Sequence, residues 1–162
     1  METSMRIRPL AATATSATIG LALALAPVTP AAAYSGYGYD NQDPYATGCA
    51  SSQVLLETVD IGTYSGVSVG TGYLWYSRSC GTNWISVRTK YASPSGWAGG
   101  ITTNIYRDTP SGQALFTWTR PWVAGAVSWS DMLYAPVECV RAVGSVDSDH
   151  GVGVGWIHQP GC

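Results

Sequence analysis

From Gln53 to His158 the chain alternates large apolar side chains with small or polar ones, in short runs broken by clusters of Gly, Pro, Ser and Asp. A period of two places every second side chain on one face of an extended strand, which a helix cannot do. No stretch after residue 33 sustains a helical period. Residues 53–59 open the pattern and fit either a strand or one short helical turn. Residues 67–76 put Val67, Val69, Thr71, Tyr73 and Trp75 on one face, with Ser68, Gly70 and Gly72 on the other. Residues 84–91 set Ile85, Val87, Thr89 and Tyr91 opposite Ser86, Arg88 and Lys90. Residues 101–107 and 114–120 read as a hairpin through Asp108-Thr109-Pro110-Ser111-Gly112. Residues 127–134, 139–143 and 152–158 supply the rest. Roughly seven or eight short strands, with turn signals about every 8–14 residues, predict an all-β fold: a small antiparallel sandwich or barrel.

Residues 1–33 stand outside this pattern. Arg6 and Arg8 precede an uncharged Ala/Leu-rich stretch from Leu10 to Ala26, then Pro27 and Pro30, then Ala31-Ala32-Ala33. A basic start, an apolar centre and a small-residue site are the parts of a secretory signal peptide, with cleavage expected near Ala33. The apolar run, about 17 residues broken by Thr and Ser, is short for a membrane span, so no stable membrane anchor is expected. The organisation read from sequence is a leader at 1–33, an N-terminal arm at 34–48 and a body at 49–162.

Composition narrows the partners. The chain carries 8 Lys+Arg against 10 Asp+Glu, too few cations for the basic stripe that nucleic acid requires. All 10 Tyr, all 7 Trp and the single Phe lie after residue 33, an aromatic load suited to strands. Cys49, Cys80, Cys139 and Cys162 also lie there. An even count in an exported chain reads as disulfides. Of the three possible connectivities, Cys49–Cys80 with Cys139–Cys162 is favoured, because each pair closes a loop of about 25–30 residues within one half of the chain. A zinc site would need Cys-x-x-Cys or His at ligand spacing, and neither is present.

Two features point to binding. In residues 34–48 Tyr and Gly alternate without aliphatics, which reads as a loose arm. The sharper alternative is a segment that orders on a partner, with Tyr34, Tyr37 and Tyr39 as anchors. Trp97 and Trp122 sit among turn residues, where an aromatic ring either folds back over a barrel end or serves as a contact for a sugar face or a protein.

Catalytic motifs are weaker. Gly66-Val67-Ser68-Val69-Gly70 matches a hydrolase nucleophile elbow, but that motif needs a strand-to-helix turn that this pattern lacks. Asp147-Ser148-Asp149-His150 lacks the downstream oxygen ligands of a calcium loop and reads as turn chemistry. The only histidines, His150 and His158, have no neighbouring Cys or Ser to suggest a dyad. Glu57, Asp60, Asp108, Asp131 and Glu138 include candidates for a paired-carboxylate hydrolase, which spacing alone does not single out. No cofactor or metal is expected.

Three blocks carry a family resemblance: Gln42-Asp43-Pro44-Tyr45-Ala46-Thr47-Gly48-Cys49-Ala50, Tyr76-Ser77-Arg78-Ser79-Cys80-Gly81-Thr82-Asn83-Trp84, and Trp129-Ser130-Asp131-Met132-Leu133-Tyr134-Ala135-Pro136 with Val140-Arg141-Ala142. Their order and spacing resemble a small family of exported Gram-positive, largely actinobacterial, proteins known as a domain of unknown function. The resemblance covers about residues 40–143. It implies a secreted bacterial domain with its first two cysteines paired, and it carries over no catalytic residues. Pairing of Cys139 with Cys162 rests on arithmetic alone.

These readings favour a secreted, non-catalytic binding or adaptor module, with an extracellular protein or a cell-wall or extracellular polysaccharide as its partner. The alternatives are a small extracellular hydrolase using carboxylates or His158, and a hydrolase inhibitor presenting residues 92–99 as its reactive loop.

Overall fold

The computed structural model describes residues 34–94, 99–119 and 121–162. The expected leader at 1–33 and Trp97 lie outside them. Gln53–Thr63 forms β1, a single long strand rather than a helical turn. Eight more follow: β2 Ser68–Ser77, β3 Thr82–Thr89, β4 Ile101–Arg107, β5 Gly112–Trp118, β6 Val127–Trp129, β7 Leu133–Tyr134, β8 Val140–Ser148 and β9 Gly151–His158. The expected run at 127–134 is split into β6 and β7, which pair with opposite ends of β3. The β4–β5 hairpin forms as expected.

Every pairing is antiparallel, in the order β5-β4-β8-β9-β1-β2-β3-β6. The sheet curls into a nearly closed eight-stranded barrel. Its terminal strands β5 and β6 approach each other without ladder bonds. Their edges leave a seam.

Why the sheet curls so tightly is written in its glycines. Inside the wall, Gly144 of β8 and Gly153 of β9 face Val87 and Val69. A Cβ at Gly144 would lie 2.5 Å from the Val87 methyl, closer than atoms pack. Bare backbone on one side of the lumen therefore lets Ile61, Val87, Ile85 and Ile157 fill it from the others. The two interior clusters are centred on Leu74, Ile85, Ile105 and Leu133, and on Ile61, Val69, Val87 and Trp122.

A bulge corrects one expected face. Between Ile61 and Gly62 the β1–β2 register slips, so that Ile61 pairs with Gly70 and Gly62 with Ser68. Val69 is the extra residue. Alternation restarts after it, which sends Gly70, Gly72 and Leu74 inward and Thr71, Tyr73 and Trp75 outward. Val69 and Tyr73 do not share a face.

The arm is packed, not loose. Ile85 points into the barrel, so its neighbour Trp84 points out, yet Trp84 is fully buried. Residues 39–50 cover it, building a third cluster of Cys49, Trp84 and Met132 with Tyr39, Ala50 and Trp129 around them. Asn41 donates its backbone N–H to Met132 O, and Met132 donates to Gln42 O. Arg107 anchors the arm from the barrel side through Asp40. Both favoured disulfides form, Cys49–Cys80 and Cys139–Cys162. They fix the arm to the β2–β3 turn and the C-terminus to the start of β8, and mark a chain suited to an oxidising compartment. Among the described residues no helix is long and apolar enough to cross a membrane.

Candidate functional site

The seam sets the site. On β5 the inward positions are Ala114, Phe116 and Trp118, paired through the ladder with Ile105, Thr103 and Ile101. Ala114 is buried as its position demands, but Phe116 remains 46% exposed. The reason is β6: it spans three residues and does not reach across to β5. Between the two edges lies a cleft of about 330 Å³, with Phe116 and Trp118 on one wall and Val127, Ser128 and Trp129 on the other. Asp43 and Asp131 complete it.

Asp43 comes from the arm and is held firmly. One carboxylate oxygen accepts the backbone N–H groups of Tyr45 (2.7 Å) and Ala46 (2.8 Å), an Asx turn that its Pro44 neighbour favours. The other accepts the Trp129 indole N–H at 3.1 Å. The Tyr45 ring packs edge-on against Trp129 with centroids 4.8 Å apart. Asp131 is different. Burial pushes its carboxyl above the ordinary range, and the charge of Asp43 adds to the rise. Ser128 is 2% exposed, and its hydroxyl has no hydrogen-bond partner among the described residues.

The cleft is the middle of a longer track. Val127 also lines a neighbouring cleft of about 340 Å³ with Tyr45, Gln53, Tyr73, Trp75, Ser86 and Arg88. There the Tyr73 and Trp75 rings lie near-parallel, 23° apart with centroids 6.2 Å apart. Trp75 is locked by its indole N–H donating to Ser86 Oγ at 2.9 Å. On the far side, Phe116 and Trp118 also line a third cleft of about 530 Å³ with Thr117, Thr119 and Pro121. Aromatic surface thus runs from the outer face of β2, past the seam, to the end of β5.

The residues singled out from sequence fall elsewhere. Tyr37 is half exposed at the opposite side of the arm, its ring edge-on to Tyr134 at 5.4 Å, with the Arg107 guanidinium 4.8 Å from its centre. Burial and Glu138 raise its phenol pKa. Tyr34 packs on Tyr39, centroids 5.8 Å apart, so these rings contact the protein itself. Trp122 is only 5% exposed and donates its indole N–H to Tyr91 O. It closes a barrel end and presents no free face. Residues 95–98 of the loop proposed for inhibition lie outside the described residues.

Ser68 meets Asp60 and Lys90 in a surface trio. The Ser68 hydroxyl above all holds the Asp60 carboxyl below its usual range; burial opposes it and Lys90 adds to the lowering. Lys90 is a solvated ion-pair partner here, not the desolvated amine that activates a serine. Of the five candidate carboxylates, Asp108 pairs with Arg141, Glu138 accepts from Tyr37, and Glu57 accepts from Thr58 N–H. Only Asp131 meets a second carboxylate, and that one, Asp43, was not among the five. Three protein donors hold Asp43 in place, two on one oxygen and one on the other. A carboxylate has about four acceptor positions, so one remains for a further hydrogen bond, while the fixed group is poorly placed as a nucleophile or base. His150, in the β8–β9 turn, packs its ring at a tilt against Tyr91, centroids 4.3 Å apart. His158 lies beside the Cys139–Cys162 bridge.

What sequence reasoning missed was the outward aromatics and the seam. Simple alternation groups Tyr73 and Trp75 with Val69, and the bulge places them on the face opposite to it. Phe116 and Trp118 shared a strand face with Ala114, but nothing local says that this strand ends a sheet. No protein-family model, curated protein or solved structure matches the chain.

Proposed function

We propose that the protein is a secreted, non-catalytic binding module for an extracellular or cell-wall polysaccharide, which lies along the aromatic track. The supporting observation is continuity: the seam cleft shares Val127 with the cleft on one side and Phe116 and Trp118 with the cleft on the other. A continuous track suits a polymer better than an isolated small molecule. Sugar rings offer apolar faces to aromatic side chains and hydroxyls to planar polar groups. Tyr73 and Trp75 present the first, and Gln53 and Arg88 beside them the second. The rigid sheet holds these rings in place before binding, which spares the entropy of ordering them. Two disulfides fit an exported chain, as does the expected leader at 1–33.

A hydrolase is the weaker reading, because the carboxylate that Asp131 faces is fixed in place by three protein donors. The test is retention on insoluble polysaccharides, including purified cell wall, chitin and cellulose, by the oxidised protein. Trp75→Ala and Trp129→Ala should each release it. Retention unchanged in both variants, or capture of a protein in place of every polysaccharide, would overturn the reading. Breakdown of any of these polymers, lost in Asp131→Asn, would establish the hydrolase instead.

A further inference from the structure

Resting on that reading, we infer that the seam cleft recognises a primary ammonium group on the polysaccharide, that of a de-N-acetylated amino sugar, and so distinguishes it from the N-acetylated form. Three independent features of the cleft converge on such a group. The first is charge: Asp43 and Asp131 both line it, and none of its other lining residues is basic. Two carboxylates held close repel, and Asp131 resists ionising for that reason as well as for its burial. A cation placed between them removes the repulsion and gains two charge-assisted hydrogen bonds.

The second feature is the Ser128 hydroxyl, 2% exposed, on the cleft wall and without a partner among the described residues. A buried hydroxyl left unpaired costs free energy, and an incoming N–H donor satisfies it. The three protons of an ammonium match three acceptors: Asp43, Asp131 and Ser128. An acetamide carries a single N–H and no charge, so it can donate to only one of the two carboxylates and leaves their repulsion in place.

The third feature is the aromatic wall. Phe116, Trp118 and Trp129 line the cleft with the acceptors. Trp129 turns its N–H edge to Asp43 and fixes that carboxylate, and the apolar walls limit the water that would screen a bound cation. The same rings receive the apolar face of the sugar that bears the amine.

The experiment is a titration of the oxidised protein with a β-1,4-linked glucosamine hexamer and with its fully N-acetylated counterpart, followed by tryptophan fluorescence and by calorimetry. The amine form should bind roughly tenfold or more tightly, as expected for hydrogen bonds to charged groups. Asp131→Asn should abolish that preference, Ser128→Ala should reduce it, and added salt should weaken it. Equal binding of the two hexamers, or a preference that survives Asp131→Asn, overturns the inference while the polysaccharide reading stands. Binding of neither hexamer overturns the inference. Preference for a lysine peptide of the same charge overturns both.

Discussion

Arg107 and Asp40 form a two-point ion pair, with guanidinium nitrogens 2.7 and 3.0 Å from the two carboxylate oxygens, although 67 residues separate them. Arg107 is almost fully buried, and it also donates to Pro110 O and Tyr134 O. Asp40 in turn accepts the Tyr134 N–H. The pair therefore ties three things to one guanidinium: the arm, the β4–β5 turn and β7. Hydrogen bonding to Asp40 raises the Arg107 pKa, outweighing the cost of burial.

Removing one partner strands the other. Asp40→Ala should destabilise the fold by about 3 kcal/mol, the penalty of an unpaired buried cation, read from urea unfolding followed by tryptophan emission. The double variant Asp40→Ala with Arg107→Met should recover part of that loss, because the stranded charge is gone. If the double variant is no more stable than the single one, the pair's contribution lies in the geometry of the arm and not in charge burial.

The glycine-lined wall makes a second prediction. Gly153→Ala adds a methyl that overlaps Val69 and crowds Ile61. Overpacking of this kind costs about 1–3 kcal/mol. Val69→Ala in the same chain opens space where the methyl lands, so the double variant should be less destabilised than the sum of its parts. Thermal unfolding of the four chains checks this. Strict additivity would mean the two side chains do not meet.

Much of the barrel was legible because its strands obey a local rule. Ile85, Val87 and Thr89 are buried as alternation requires, and the hairpin at 108–111 carries its own turn residues. The disulfides were legible from loop size. Tyr73 and Trp75 were not, because one inserted residue, Val69, reverses every later face and leaves no mark in composition. The seam was hidden for a different reason. That β5 and β6 end the sheet is decided by pairings such as Ile105 with Ala142, across 37 positions of sequence, and no local pattern encodes which strand lacks a neighbour. Asp43 was concealed by its role as a turn former, which is genuine: the same carboxylate that caps Tyr45 and Ala46 also reaches Trp129.

The cleft carboxyl gives a pH-dependent prediction. Burial, and then Asp43, place the Asp131 pKa in the folded state above its unfolded value, so in the window between the two the folded chain holds more protons. Stability then falls as pH rises through that window. Asp131→Asn removes the effect. The variant should be more stable than the parent at neutral pH, and the difference should shrink below the ordinary carboxylate range, near pH 4. Urea midpoints at pH 3.5 and pH 7 test it, and an Asn variant that is less stable at pH 7 would contradict the sign.

The two disulfides should not contribute equally, although their loops are similar. They close separations of 31 and 23 residues, and the chain-entropy model assigns each about 3.5 kcal/mol. Packing separates them. Cys49 is fully buried in the cluster that covers Trp84, whereas Cys162 ends the chain and is exposed. Cys49→Ser with Cys80→Ser loses the cross-link and places a hydroxyl in that cluster, loosening the segment that carries Asp43 to the seam. Cys139→Ser with Cys162→Ser loses the cross-link alone. The first pair of substitutions should therefore cost more in unfolding free energy and should also weaken polysaccharide retention at temperatures where the barrel is still folded. The second should lower the unfolding midpoint without changing retention. Equal losses of retention would mean that the arm holds its place at the seam without the bridge.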